Sequence, residues 1–384
     1  MFLAKAFQTD PRPRQEGKSL VEANYSVYVL AWDREGQFKR VENVDGVIVR
    51  SFTFGSLRGF SGVALALGAI VFQILLLIET VKIIGRLKQR PVIHAHDFNT
   101  LLPGCLLKIL GLSAGLVYDC HEVSHAAYSE LFSPVIGCIV RAIEQRCLGY
   151  AEVVITVSHT VAAYLRKFNP STEVIYNCPR VDDVPRLSKE QARVRLDIPL
   201  NAFVVSSVGT IRYDCRLDLL LAVALLTKKE NLQYLVVGDG PLASEFRRAV
   251  KKAGATCLTT MPHVSRELAL QYVSASDLTW VVYESRGSSL NPRMTIPWKF
   301  FESLACVVPV IVEPGTVRAE LVKELNCGLV LGNDDPSNIS QAIISLAANP
   351  DQICRMRAEA KRAFATQFNW EIMCNMLVGL YERL

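Results

Sequence analysis

Residues 285–312 read SRGSSLNPRMTIPWKFFESLACVVPVIV. A polar loop holding Gly287 and Asn291 leads to Pro297, whose fixed φ and missing N–H predict the first turn of a short amphipathic helix. Lys299 falls in that turn, Glu302 lies one turn later, and 307–312 (VVPVIV) reads as a buried strand. Unpaired N–H groups at the helix start, with the Lys299 cation, make a site for an anion such as a phosphate. Glu302 offers carboxylate oxygens to hydroxyl groups of the kind a ribose carries. The same letters fit a surface helix feeding a core strand, so the surrounding chain has to decide.

Working outward, 203–208 predicts a strand ending in Gly209, Thr210, Ile211 and Arg212, with a helix over 217–226. A strand over 232–237 meets the tight turn Gly238-Asp239-Gly240-Pro241. Strands are expected at 256–261, 278–282 and 328–331, a helix at 267–276, and a helical tail from Pro336. The first half follows the same scheme. Strands at 1–7, 26–32, 47–49, 91–97, 116–119, 153–157 and 174–176 are separated by a loop and helix over 11–21 and by helices over 101–110, 136–150 and 160–167. Residues 178–200, rich in Pro and charge, read as a linker.

Strands alternating with helices predict parallel sheets covered on both faces. At 384 residues two domains are the default, so the chain reads as two doubly wound α/β domains facing across a cleft. Ligands of such sheets gather at the carboxyl ends of strands, where His94, His96, Asp97, His121, Glu122 and Ser158 all fall.

A net charge of +5 gives no basis for a nucleic-acid polyelectrolyte binder. The 11 cysteines are scattered, without a CxxC pair, which predicts reduced thiols in a cytoplasmic setting and neither a disulfide framework nor a zinc site. His94 and His96 share one strand face without an evident third ligand, so no metal is expected. The first 17 residues lack the apolar core of a signal peptide. Residues 62–78, GVALALGAIVFQILLLI, carry no charge and are at the short limit of a bilayer span. Gln73 within them, and Glu79 and Lys82 just beyond, favour a buried or interfacial helix over a crossing. The nearby Arg86, Lys88 and Arg90 suit an anionic membrane surface. A Walker A run and a GxSxG elbow are absent, and Gly238-Asp239-Gly240-Pro241 is only part of a dinucleotide fingerprint.

The order of motifs resembles the retaining glycosyltransferases of family 4, with the GT-B fold of two Rossmann-like domains. The resemblance runs through Asp10-Pro11-Arg12-Pro13-Arg14, His94-Ala95-His96-Asp97, Tyr118-Asp119-Cys120-His121-Glu122 and Ile155-Thr156-Val157-Ser158. It continues through Val208-Gly209-Thr210, Val237-Gly238-Asp239-Gly240-Pro241, Pro297-x-Lys299-x-x-Glu302 and Phe368-Asn369-Trp370. It implies an acceptor domain over 1–180, a linker over 181–200 and a nucleotide-sugar domain over 201–368. A C-terminal helix over 369–384 would then pack back on the first domain.

By that resemblance His121 lies against the transferred sugar and Glu302 binds ribose as the second acid of an E-x7-E motif. The first acid is missing, since Met294 stands there. The sugar contact then passes to backbone, to Asn291 or to Thr295. After Gly209 and Thr210, Cys215 stands where a Lys is common, so Arg212 and Arg216 are expected to supply diphosphate charge, with Lys299 adding to it. Arg14 is assigned to the cleft.

The implied activity is metal-independent sugar transfer, with retention, from a UDP-, GDP- or ADP-sugar to a lipid-linked or polysaccharide acceptor. No cofactor is expected. The implied place is the cytoplasm, peripherally at the inner face of the membrane. A nucleotide-sugar epimerase shares the fold, and a catalytically degenerate binding subunit would explain Met294, Thr210 and Cys215.

Overall fold

The computed structural model describes residues 1–54, 63–87, 89–284 and 291–384, the side chains of 63–66, 291 and 292 excepted. Residues 285–290 of the opening stretch, Gly62, Lys88 and the Asn291 side chain therefore lie outside the described residues. The chain divides into two compact units. The first holds Met1–Tyr176, a short segment ending at Thr295, and Met373–Leu384, and the second holds the remainder.

The first unit is built on eight strands: β1 (Phe2–Leu3), β2 (Tyr28–Trp32), β3 (Val41–Val44), β4 (Val47–Phe52), β5 (Val92–His96), β6 (Gly115–Cys120), β7 (Val153–Thr156) and β8 (Thr172–Val174). Their order is β3-β4-β2-β1-β5-β6-β7-β8. All pairs are parallel except β3 with β4. β6 and β7 are buried along their whole length, as strands covered on both faces must be. The sequence reading misses β3 because its alternating, half-exposed VENV lies on an edge. It also makes β1 too long, since a 3-10 turn at Phe7–Thr9 follows.

Among the described residues up to Tyr176 this unit has the helices α1 (Pro11–Glu22), α2 (Val63–Leu87), α3 (Phe98–Ile109), α4 (Ser124–Leu131), α5 (Pro134–Leu148) and α6 (His159–Leu165). α1 starts at Pro11 without a preceding loop, because the Asp10 side chain accepts from Arg12 N at 3.3 Å and Pro occupies the first position. α2 runs 25 residues. It continues through Glu79 because Arg50 and Lys82 meet that carboxylate at 2.8 and 2.9 Å. Right-handed crossovers from β4 through β7 put α2, α3 and α5 on one face of the sheet, with α3 packed against both others. The inner side of α2 joins the core through Phe72, stacked on Trp32 at 5.5 Å. The last helix, Trp370–Tyr381, begins in the second unit, and its residues from Met373 belong to the first. Its Tyr381 hydroxyl lies 2.8 Å from His94 Nδ1.

The second unit has a parallel six-stranded sheet: β9 (Phe203–Val208), β10 (Leu232–Val237), β11 (Leu258–Met261), β12 (Leu278–Trp280), β13 (Val310–Val312) and β14 (Gly328–Val330). The order is β11-β10-β9-β12-β13-β14. The strand order reverses between β1 and β5 in the first sheet and between β9 and β12 in the second. Loops beyond the carboxyl ends part there, and a crevice opens.

Candidate functional site

Each unit places a group of polar residues at its own reversal point. In the first unit the group is built around Asp119, at the end of β6 and wholly buried. Arg12, on α1, grips it with Nε and Nη2 at 2.8 Å each, donates to the Ile175 carbonyl at 2.8 Å and lies 3.1 Å from Glu16. His96 Nδ1 stands 3.3 Å from the same carboxylate and His121 Nε2 3.0 Å from it. His121 is the member nearest solvent, with 15% of its side chain exposed.

Asp97 closes this arrangement from the end of β5. Its φ of +62° is a conformation that costs a non-glycine residue free energy and tends to persist at functional positions. Its carboxylate accepts from His121 N at 3.4 Å and lies 3.7 Å from His121 Nδ1. Burial pushes the His121 pKa down, but Asp97 and Asp119 outweigh it and raise the pKa, favouring imidazolium. Burial would lift Asp119, yet Arg12 and His121 hold it well below the usual carboxylate range. Glu16 goes the other way: burial and the Asp119 charge exceed the pull of Arg12 and raise it well above an ordinary glutamate. One carboxylate is thus held ionised and its neighbour drawn toward the acid form.

Ligand atoms of Glu16, His94, His96 and Asp119 lie within 4.8 Å of one another, which supplies the third and fourth groups that the His pair lacked in sequence. The geometry does not suit one ion. The His94 and His96 rings are stacked at 4.3 Å and 16°, so their in-plane lone pairs run side by side, where ligation needs them to converge. The Arg12 cation already stands against both carboxylates.

Arg14 is a correction. It lies on the outer side of α1, 43% exposed and paired with Asp45 at 2.8 Å. Arg12, two positions earlier, faces inward. Sequence reasoning also missed Glu16 and Lys5, which follows β1 and pairs with Asp10 at 2.8 Å. The Asp-Pro start was the available signal, since it fixes the phase of α1. Met294 packs partly buried against the hydrophobic core of this unit, and its carbonyl accepts from the Ser158 hydroxyl. Thr295, half-buried, follows it.

In the second unit the loop after β9 carries Gly209, Thr210 and Arg212, and is tied to the glycine turn after β10. Gly209 N donates to the Val237 carbonyl and Ile211 N to the Asp239 carbonyl, both at 2.9 Å. Gly238 has φ +147°, and a Cβ there would fall 1.9 Å from the Gly209 carbonyl oxygen, so only glycine lets the two loops meet. Gly209 and Thr210 are exposed, and a Cβ on Gly209 would lie 3.7 Å from Lys299 Cε.

The helix Trp298–Ala305 has Pro297 at its N-cap, without a side-chain hydrogen bond there. Phe300 N donates to the Pro297 carbonyl at 3.1 Å, and the N–H groups of Trp298 and Lys299 precede it at the helix start. Lys299 Nζ lies 5.2 Å from the Tyr283 ring centroid. Burial lowers the Lys299 pKa, but Tyr283 and Cys215 outweigh it and the group stays charged. Glu302 is raised by burial, against the pull of Arg266, whose guanidinium lies 3.5 Å away and stacks over Trp298.

The two arginines differ. Arg212 is 55% exposed and folded onto Asp214 at 2.8 Å. Arg216, at φ +43°, meets Asp334 at 2.7 Å, Asp218 at 3.3 Å and Glu284 at 3.4 Å, so carboxylates already match its charge. The structure brings Lys299 and Gly209, both expected site residues, close to one another, and Arg212 is a cation at the same loop.

Two doubly wound, largely parallel sheets, each with its polar group at the reversal point, form a GT-B architecture. Residues 14–182 match the family described as Glycosyltransferase Family 4 and residues 188–363 the family described as Glycosyl transferases group 1, and the chain belongs to these GT-B glycosyltransferases. It is similar to the O-antigen chain mannosyltransferase C of Escherichia coli, 25% identical over 250 residues, 64% of either protein. The match thus spans just under two thirds of that relative's length. Sucrose-phosphate synthase from Thermosynechococcus elongatus has the same fold, with TM-score 0.77, 20% identity and coverage of 100% of this chain and 98% of that one. So does HepE of Anabaena, in complex with UDP and glucose, with TM-score 0.70, 16% identity and coverage of 100% and 99%.

Proposed function

We propose that the protein transfers a sugar from a nucleotide-diphosphate donor to a lipid-linked or polysaccharide acceptor, with retention and without a metal, at the cytoplasmic face of a membrane. The observation that carries this reading is the Lys299 cation beside exposed Gly209, at the start of a helix whose first N–H groups lack a side-chain cap. Cations and N–H dipoles aimed at a diphosphate stabilise the charge that develops as it leaves. Glu302, one turn further, accepts from the ribose hydroxyls. In the first unit His121, oriented by Asp119 and Asp97, donates to the transferred sugar. The bond from the anomeric carbon to the diphosphate oxygen breaks. The acceptor hydroxyl oxygen bonds that carbon from the same face, and its proton passes to the departing diphosphate.

HepE's UDP makes UDP-sugars the first donors to examine, with GDP- and ADP-sugars beside them and a mannose donor included for the mannosyltransferase relative. A donor at 100 times its Kd stabilises the binding unit by about 2.7 kcal/mol, readily seen in thermal unfolding. Silence toward every nucleotide sugar would overturn the proposal. Lys299→Met is expected to weaken donor binding about 10- to 100-fold, the loss of a charge-assisted contact. Unchanged affinity in Glu302→Ala would remove its ribose role.

A further inference from the structure

From the outward surface of the helical layer α2–α3–α5 we infer a bilayer-seating face that binds anionic lipid. The outer stripe of α2 is Leu67, Ile70, Val71, Ile74, Ile78 and Val81, each 44–59% exposed, at the i, i+3, i+4 spacing of one helix side. A soluble helix places polar residues on that side. α2 is instead apolar outside as well as inside, where Phe72 and Leu76 are buried.

The apolar surface does not stop at α2. On α3 Leu102, Leu106 and Ile109 are exposed, and on α5 Val135 and Ile139. An apolar groove of about 430 Å³ between α3 and α5 adds Ile143 and Tyr150. A contiguous apolar surface across three helices exceeds the scattered exposed side chains that need no explanation.

Charge selects the occupant. The only carboxylates in α2, α3 and α5 are Glu79 and Glu144, and both are buried. Glu79 is paired with Arg50, and Glu144 accepts from Tyr118 and Ser124. The charges these helices expose are Lys82, which pairs with Glu79 at 2.9 Å, and Arg86, Arg141 and Arg146, all basic. Arg141, two residues from Ile139, lies on the far side of α5, whereas Arg146 lines the apolar groove. An apolar plane carrying cations and no exposed carboxylate complements acyl chains below anionic headgroups. A self-complementary protein interface would need acids to meet those bases.

α2 is long and apolar enough to cross a bilayer, but crossing would strip Phe72 from Trp32 and expose the Arg50–Glu79 pair. It lies in the interface. This places a lipid-linked acceptor's headgroup beside the enzyme, and it rests on the proposed function for its purpose but not for its test.

The test is flotation of the full chain with vesicles of phosphatidylcholine alone or mixed equally with phosphatidylglycerol, at low and high salt. Binding to the anionic vesicles is expected, reduced by salt. Arg86→Gln with Arg146→Gln should weaken it about fivefold per cation, and Ile70→Ser with Ile74→Ser at least tenfold. The melting temperature, and stabilisation by whichever nucleotide sugar protects the parent protein, should stay unchanged. The arginine pair reads the face even where the serine variant fails to fold. No flotation with either vesicle overturns the inference. So does a dimer in light scattering that Ile70→Ser dissociates while vesicles go unbound, which would give the face to a second copy. Loss of nucleotide-sugar protection with flotation intact would instead fail the enzymatic reading alone.

Discussion

Replacing Arg12 with leucine tests the architecture of the first unit most directly. Arg12 is 1% exposed and its guanidinium makes two 2.8 Å bonds to Asp119, a third to the Ile175 carbonyl and a 3.1 Å contact to Glu16. Leucine would leave two carboxylates facing each other in a buried site. Removing one partner of such a pair costs about 3–5 kcal/mol, which in a domain of this size lowers Tm by about 6–20 °C. Arg14→Ala breaks a pair that is 43 and 40% exposed, where the loss stays under about 1 kcal/mol. Thermal unfolding followed by far-UV circular dichroism compares the two variants with the parent protein at several pH values. The sign with pH follows from Asp119. Its folded pKa is depressed, so its contribution is present above the ordinary aspartate value and lost as pH falls through the folded value. Parent and Arg12→Leu should therefore converge in acid and diverge toward neutrality. An Arg12→Leu melting temperature within 3 °C of that of Arg14→Ala would refute the reasoning.

Glu16→Gln should be neutral or stabilising at pH 7. The parent's Glu16 pKa is raised, so folding loses stability as pH rises from the ordinary glutamate value toward the folded one, and the amide removes that slope; unfolding in urea across pH 4–8 measures it. In Asp97→Asn one of two carboxylates holding His121 is gone, so its imidazole should titrate at lower pH than in the parent, read from ring-proton NMR shifts. An unmoved titration would deny Asp97 its electrostatic role. Gly238→Ala should destabilise the second unit and abolish nucleotide-sugar protection, because its Cβ would press to 1.9 Å from a backbone oxygen; a parent-like melting curve would show that the two loops are not so joined.

How much of this was legible depended on the kind of signal each residue left. The parallel sheets were plain because buried strands such as Val153–Thr156 are apolar runs set between helices. His121 and Asp97 were legible because they close such runs, where ligands collect. Arg12 and Arg14 show where reading stopped. Both sit in one basic, Pro-rich stretch, and nothing in composition separates them. The separation comes from the helix phase: Asp10 caps, Pro11 opens the first turn, and residues two apart then point to opposite sides. Arg12 goes inward with Glu16, four positions on, and Arg14 goes to solvent. Arg216 failed to read for a different reason. Asp218 is only two residues away, but Glu284 beyond β12 and Asp334 beyond β14 reach Arg216 only through the fold, a juxtaposition no local pattern encodes. Lys299 escaped that fate because its helix start and its glycine neighbour are each locally encoded. The proposed anion site is therefore built from locally encoded parts, and the charge cluster behind His121, assembled from α1, β5 and β6, is the least legible.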